Sequence, residues 1–393
     1  PRADHEGRKD LQEHNSVEMR RNKMKETKTS CTKKEMAAFS TLAAVVASMV
    51  VSTSYIPAAF ACSRATYLGP EGIVVTTRSN DWYNSQHSNI WIYPRGVERD
   101  GNAGANSLKW TSKYGSVTTA GWDAATIDGM NERGLVANLL YLAEADYGRP
   151  IANKKAISLA AWGQYVLDNF ATTAEAVETL SQEPFYIAAP KTPDGHAGTA
   201  HLAITDPTGD SAVFEYLDGK LDIHHGRQYQ VMTNSPPYDQ QLALTAYWET
   251  IGGTTMLPGT NRASDRFVRA SFYIKAIPQT ADVNEALASA FGVIRNVSVP
   301  LGITTPGQPN ISSTQWRAVS DQKNKVYYFE SPRSPFIFWI PLADIDFSQK
   351  APTQKISLTE GSVLMVDGKP FAGNAARQGK PAKPFEFLRA GTE

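Results

Sequence analysis

The sequence predicts an α+β domain in which two β-sheets are faced by helices, and three observations predict it. Runs rich in β-branched and aromatic residues recur between Gly, Asn and Asp boundaries. The apolar period changes to helical spacing in two zones. No internal repeat, low-complexity linker or break in composition divides the chain beyond residue 61, so 62–393 is expected to be one domain.

The elements follow in order. "GIVVTTRSNDW", "SNIWIYPRG", "GSVTTAGW" and "GLVANLLYL" have the composition and boundaries of strands. From Ile157 to Leu180 the pattern turns helical, with Leu159, Trp162, Val166 and Phe170 on one face and Thr172 with Glu175 offering a capping box for a second helix. The stretch from His201 to Pro236 alternates strands with tight turns at Pro207-Thr208-Gly209 and Asp218-Gly219. "SDRFVRASFYIKAI" and "DVNEALASAFGVIRNV" form the second helical zone, the latter opening on Asp282 three residues before Glu285. "KVYYFES" and "FIFWIPL" return to strand.

The first 61 residues have a different character. Basic residues crowd the stretch from Lys23 to Lys34, and "EMAAFSTLAAVVASMVVSTSYIPAAFA" then runs almost free of charge to Ala59-Phe60-Ala61. That is the order of an n-region, an h-region and a small-residue cleavage site. Residues 1–61 are therefore expected to be a leader and cleaved signal peptide, with Met24 as a candidate start, and the mature chain to be periplasmic. Ser40, Thr41, Ser48 and Pro57 dilute the apolar run as a permanent anchor. A lipidated cysteine at 62 is the rival reading, although Ala59 stands where such cysteines usually have Leu.

Charge is balanced at 39 basic and 39 acidic residues, so nothing in it suggests a nucleic-acid or polyanion partner. Cys31 leaves with the leader, so Cys62 becomes the lone cysteine of an exported chain and its first residue. A terminal cysteine carries its own base: an α-amine with a pKa of about 7.7–8.0 can accept the thiol proton. No histidine is then required, and none lies in a Cys/His motif. His224 and His225 are adjacent in a predicted strand, point to opposite faces and lack metal spacing, so both are expected at the surface or in a turn. Neither metal nor cofactor is expected.

Five segments carry a resemblance: "CSRATYLGPEGIVVTTRSNDW", "DGMNERGLVANLLYL", "VMTNSPPYD", "LPGTNRASDRFVRASFY" and "TQWRAVSDQKNKVYYFES". In this order they resemble the choloylglycine hydrolase and penicillin V acylase family of N-terminal-nucleophile hydrolases, closest to its exported Gram-negative members. The resemblance implies a four-layered αββα sandwich of two antiparallel sheets. It implies that Cys62 is the nucleophile, that Arg78 and Asp81 sit beside its amine, and that Asn234 and Tyr141 make the oxyanion contacts. Arg266 is implied as the second arginine of the site. By pattern alone Arg78 and Asp81, three apart, leave a regular strand on opposite faces, and a bulge or strand end would have to bring them together.

Two departures narrow the expectation. Tyr141 stands where bile-salt enzymes typically carry Asn, and the family's "LPGD" is here "LPGT", with Thr260. Trp82 either lines an acyl pocket or packs in the core. The expected activity is hydrolysis of a linear amide between an apolar acyl group and a small polar amine, penicillin V first. Acyl-homoserine lactones and conjugated bile salts are the alternatives within the family, and a lipid-anchored binding protein is the alternative outside it. A homotetramer is the family precedent for assembly.

Overall fold

Alternation along the first two strands decides how the molecule is layered. The structure, a computed structural model, describes residues 61–252, 255–304 and 312–391, so the expected leader at 1–60 lies outside the described residues. Strand β1 (Ala61–Leu68) pairs antiparallel with β2 (Val74–Trp82), Cys62 opposite Asn80 and Arg64 opposite Arg78, in uninterrupted register. Because side chains alternate, Ser63, Ala65 and Tyr67 leave one face and Cys62, Arg64 and Thr66 the other.

The first face is covered by α4 (Ala263–Ala276) and α5 (Val283–Asn296), whose Phe267, Ala270, Ile274, Ala290 and Ile294 pack on Ala65, Tyr67 and Val75. Each of the larger ones, such as Phe267, Ile274 and Ile294, contributes about 1.5–3 kcal/mol, the alanines less. The hairpin belongs to a seven-stranded sheet. Beside β1 lies the short β10 (Val231–Met232); beyond β2 come β11 (Ser313–Asp321), β12 (Val326–Glu330), β13 (Ile337–Pro341) and β15 (Gly373–Asn374). All neighbours pair antiparallel except the last.

A second, nine-stranded sheet faces it. Its central strands are β4 (Ser116–Gly121), β5 (Ala125–Asn131), β6 (Val136–Tyr141) and β7 (Ala200–Thr205), flanked by β8 (Ser211–Leu217), β9 (Lys220–His225) and, on the other side, β3 (Asn89–Tyr93), β14 (Gln354–Ile356) and β16 (Lys380–Pro381). Between the sheets Ile90, Val117 and Val136 meet Trp316, Phe329 and Phe338. The outer face of the second sheet carries α1 (Leu159–Asn169) and α2 (Thr173–Leu180), with Trp162, Val166 and Phe170 inward. The layers therefore run helix, sheet, sheet, helix, the αββα sandwich that the resemblance implied.

The local signals behave as their chemistry requires. Thr172 and Glu175 close a reciprocal capping box, and the Asp282 carboxylate accepts from the Asn284 and Glu285 amides. Helix α3 (Tyr238–Ile251) is a correction, since no apolar period announces it. It buries Tyr238, Gln241 and Thr245, two of them polar, so a search for an apolar stripe passes over it. His224 is a second correction: it turns inward, its ring 4.8 Å from that of Tyr238, while His225 on the opposite face binds Asp210. No helix among the described residues is long and apolar enough to cross a membrane.

Candidate active site

Cys62 sits near the start of β1 with 2% of its surface exposed, and it is a free thiol. Its sulfur faces the second sheet. Arg78 Nη2 lies 3.8 Å from Sγ and also donates to Asn80 Oδ1 at 3.1 Å, while Asn80 Oδ1 is itself 4.0 Å from the sulfur. Arg78 Nη1 donates to the Ile127 carbonyl and lies 3.8 Å from the Asp128 carboxylate, and its guanidinium carbon stands 5.0 Å above the Trp316 ring. Asn80 Nδ2 donates to Gln86 at 2.7 Å.

The other face of the hairpin handles the main chain around Cys62. Arg266, fully buried on α4, donates through Nη1 to the Cys62 carbonyl at 2.5 Å and to Ser63 Oγ at 2.6 Å, and through Nη2 to Asn234 Oδ1 at 2.8 Å. The Cys62 N–H donates to the same Asn234 oxygen at 2.6 Å, and Asn234 Nδ2 donates to the Tyr141 carbonyl at 2.6 Å. Two donors on one atom and an acceptor opposite the other fix the amide orientation.

Asp81 accepts from Thr314 Oγ1 at 2.6 Å and Ser79 Oγ at 3.2 Å and lies 4.0 Å from Arg266 Nη1. Burial pushes its carboxyl up to about 6, against the pull of Arg266 and the two hydroxyls. Burial likewise lowers Arg266, with Asp81 opposing.

One expectation needs correcting here: Arg78 and Asp81 do not meet. The irregularity beside β2 falls in its other neighbour, between Thr314 and Trp316, and leaves β2 regular against β1, so the two side chains depart on opposite faces. Cys62 is flanked by both, Arg78 at its sulfur and Asp81 beside its backbone.

The sulfur opens into an apolar pocket lined by Trp82, Trp122, Ile127, Leu139, Tyr141 and Leu159 among others, with Pro190 to Ala200 closing one side. Trp82 is in the wall of the pocket; its indole N–H donates to Asp194 at 2.7 Å, and its ring meets those of Trp122 and Tyr141 edge-on at 6.1 Å. Sequence reasoning missed Asn80, Gln86, Trp122 and Asp128. It also missed the supports of the Asn234 turn: Gln241 donates to the Asn234 carbonyl, and His201, paired with Glu215 at 2.7 Å, lies 2.9 Å from the Thr233 carbonyl. Of these, only Asn80 had a signal, since strand alternation puts it on the face of Arg78.

A buried strand-borne thiol beside a guanidinium, at an apolar pocket inside an αββα sandwich, defines a hydrolase built on a cysteine. A profile described as linear amide C–N hydrolases, choloylglycine hydrolase family, matches residues 62–355, and the chain belongs to that family. It is an amidase, and its relatives agree. A penicillin V acylase of Pectobacterium atrosepticum is 48% identical over 368 residues, 86% of this chain and 95% of that protein. The solved structure of penicillin V acylase from Agrobacterium tumefaciens superposes with a TM-score of 0.77 at 54% identity, covering 83% of this chain and 99% of that one. A conjugated bile acid hydrolase from Clostridium perfringens shares the fold at 22% identity, with a TM-score of 0.66 over 76% of this chain and 97% of its own.

Proposed function

We propose that the chain is the precursor of a periplasmic amidase that acts through Cys62 once the segment ending at Ala61 is removed, and that penicillin V is a substrate. The observation that carries the reading is the Cys62 sulfur in the wall of an apolar pocket, beside Arg78 and away from any histidine partner among the described residues. The family match beginning at residue 62 supports it. With Ala61 attached, the Cys62 nitrogen is a peptide N–H and cannot take a proton. As a terminal amine at the same place it accepts the thiol proton, Sγ attacks the amide carbonyl, and the ammonium then protonates the leaving nitrogen. An acyl thioester remains, which water, deprotonated by the same amine, hydrolyses.

The remaining roles follow position. Arg78 favours the thiolate. Asp81, opposite Ala61 in the strand register, accepts from the new ammonium. Asn234 spends one Nδ2 hydrogen on the Tyr141 carbonyl and has a second for the tetrahedral oxygen, with Tyr141 beside it. Arg266 holds the Cys62 carbonyl and Asn234 in register. Trp82 lines the acyl pocket, which receives the phenoxyacetyl group by apolar burial at about 0.8 kcal/mol per methylene equivalent. Assembly as a tetramer is the family precedent.

The test compares kcat/KM for penicillin V, a medium-chain acyl-homoserine lactone and glycocholate on one preparation whose intact mass shows Cys62 as the first residue. Penicillin V is expected to lead. A glycocholate lead of more than about tenfold, roughly 1.4 kcal/mol of transition-state preference, overturns the substrate. A lipid-blocked Cys62 overturns the enzyme.

A further inference from the structure

Arg78 touches two groups of opposite consequence. Nη2 faces the Cys62 sulfur, and Nη1 lies 3.8 Å from Asp128 Oδ2, with both side chains almost fully buried. Asp128, on β5 of the opposite sheet, is held as an acceptor on both oxygens: Oδ1 takes the Tyr327 hydroxyl at 2.5 Å and Oδ2 takes Asn138 Nδ2 at 2.6 Å. Tyr327 in turn pairs with Thr119 at 2.7 Å, which leaves its own proton for Asp128. Burial raises the carboxyl, and Arg78, Tyr327 and Asn138 pull it back.

We infer that Asp128 is a positioning residue that tempers Arg78: it holds the guanidinium between the sheets and offsets part of the positive charge that Cys62 feels. The inference rests on the proposed role of Cys62 as nucleophile. The charged and titratable groups around the sulfur are Arg78 and Asp81 on β2, Arg266 on α4, Asp128 on β5, Tyr141 on β6 in the pocket wall and Tyr327 on β12, with Arg64 two residues along β1 and the terminal amine of Cys62 itself. Of these, Asp128 is the acid on the Arg78 side, so its removal has a defined sign. Arg78 then acts on the sulfur unopposed, thiolate forms at lower pH, and that thiolate is a weaker nucleophile.

Asp128→Asn suits the site. Its amide oxygen can keep the Asn138 bond while its NH2 donates to Tyr327, which then donates to Thr119. Asp128→Ser removes the same charge with a smaller side chain. The experiment measures the rate at which iodoacetamide alkylates the processed enzyme against pH, together with kcat/KM. For Asp128→Asn and Asp128→Ser the alkylation midpoint and the acid limb of kcat/KM should move down by about half to one pH unit. The plateau should fall about two- to threefold. Arg78→Gln should move the midpoint up, and adding Asp128→Asn to it should change little. A midpoint that stays in place or rises in both Asp128 variants, with activity lowered equally at every pH, overturns the tempering role and leaves Asp128 as packing. Alkylation of Cys62 that spares activity overturns the nucleophile itself, wherever the midpoints fall.

Discussion

The two faces of the β1–β2 hairpin do different work around one cysteine. Toward the second sheet lie the sulfur, Arg78, Asn80 and the apolar pocket; toward the helices lie Asp81, Ser63 and Arg266, which reaches the Cys62 carbonyl. Strand alternation thus separates the chemistry of the thiol from the anchoring of the main chain. Charges on the sulfur face should govern when the nucleophile forms. Charges on the helix face should govern where the amine and carbonyl stand, and so how well the protein tolerates burying them.

The largest effect should come from the residue both faces share. Cys62→Ala is expected to abolish amide hydrolysis, because the proposed acyl-enzyme needs the thiol, and to lower the thermal unfolding midpoint only modestly, since one small buried sulfur is lost from the core. Retention of a single residue before Cys62 should also inactivate, since the base is lost with the free amine. Full turnover in a mass-verified extended chain would break the single-residue mechanism. Next in size is Asn234→Ala. Loss of one oxyanion donor costs about 10²–10³ in kcat, and KM should move far less. A change confined to KM would reassign Asn234 to the structural role its bonds to Cys62 and Tyr141 already give it.

Asp81 tests the helix face through stability. Its carboxyl is raised from 3.8 to about 6 by burial, so the folded chain carrying Ala61 holds a proton that the unfolded chain has released. The contribution is fully present below pH 4 and is lost as pH rises through 6, by about 3 kcal/mol for a shift near two units. Urea unfolding of wild type and Asp81→Asn, both retaining Ala61, should therefore diverge by that amount between pH 4 and pH 7, with the variant gaining relative to wild type. In the processed chain an ammonium beside Asp81 should shrink the divergence. Equal pH dependence in wild type and variant would mean that Arg266 neutralises Asp81 completely.

Much of this was legible in the sequence, and what was not has physical reasons. Cys62 stood out because a small-residue Ala-Phe-Ala pattern precedes it and no other cysteine follows it. The strand runs and capping residues announced most elements because they are local. The resemblance put Arg78 and Asp81 both beside Cys62; no bulge brings them together, and alternation sends them to opposite faces of the hairpin. Asp128 could not be singled out: an Asp before Gly inside a strand has no local signature, and only the packing of one sheet on the other brings it to Arg78. Trp122 reaches the pocket from a turn with φ of 55°, and α3 hides behind a polar buried face.

The smallest effect expected is on the sulfur face, and it discriminates best between a working charge and a surface one. Arg78→Gln removes the cation 3.8 Å from Sγ while keeping a hydrogen-bonding side chain. At that distance the attraction is about 1–4 kcal/mol across effective dielectrics from water to a protein surface. Asp128 offsets part of it now, and loses its own cation in the variant, so it holds more of its protons and adds little repulsion. The net expectation is an acid limb of kcat/KM raised by about one pH unit, roughly 1.4 kcal/mol. Because the pair is buried, the displacement should persist in 1 M salt, where the Debye length of about 3 Å erases exposed interactions. A displacement that vanishes in salt would place Arg78 among solvated charges and remove it from the sulfur.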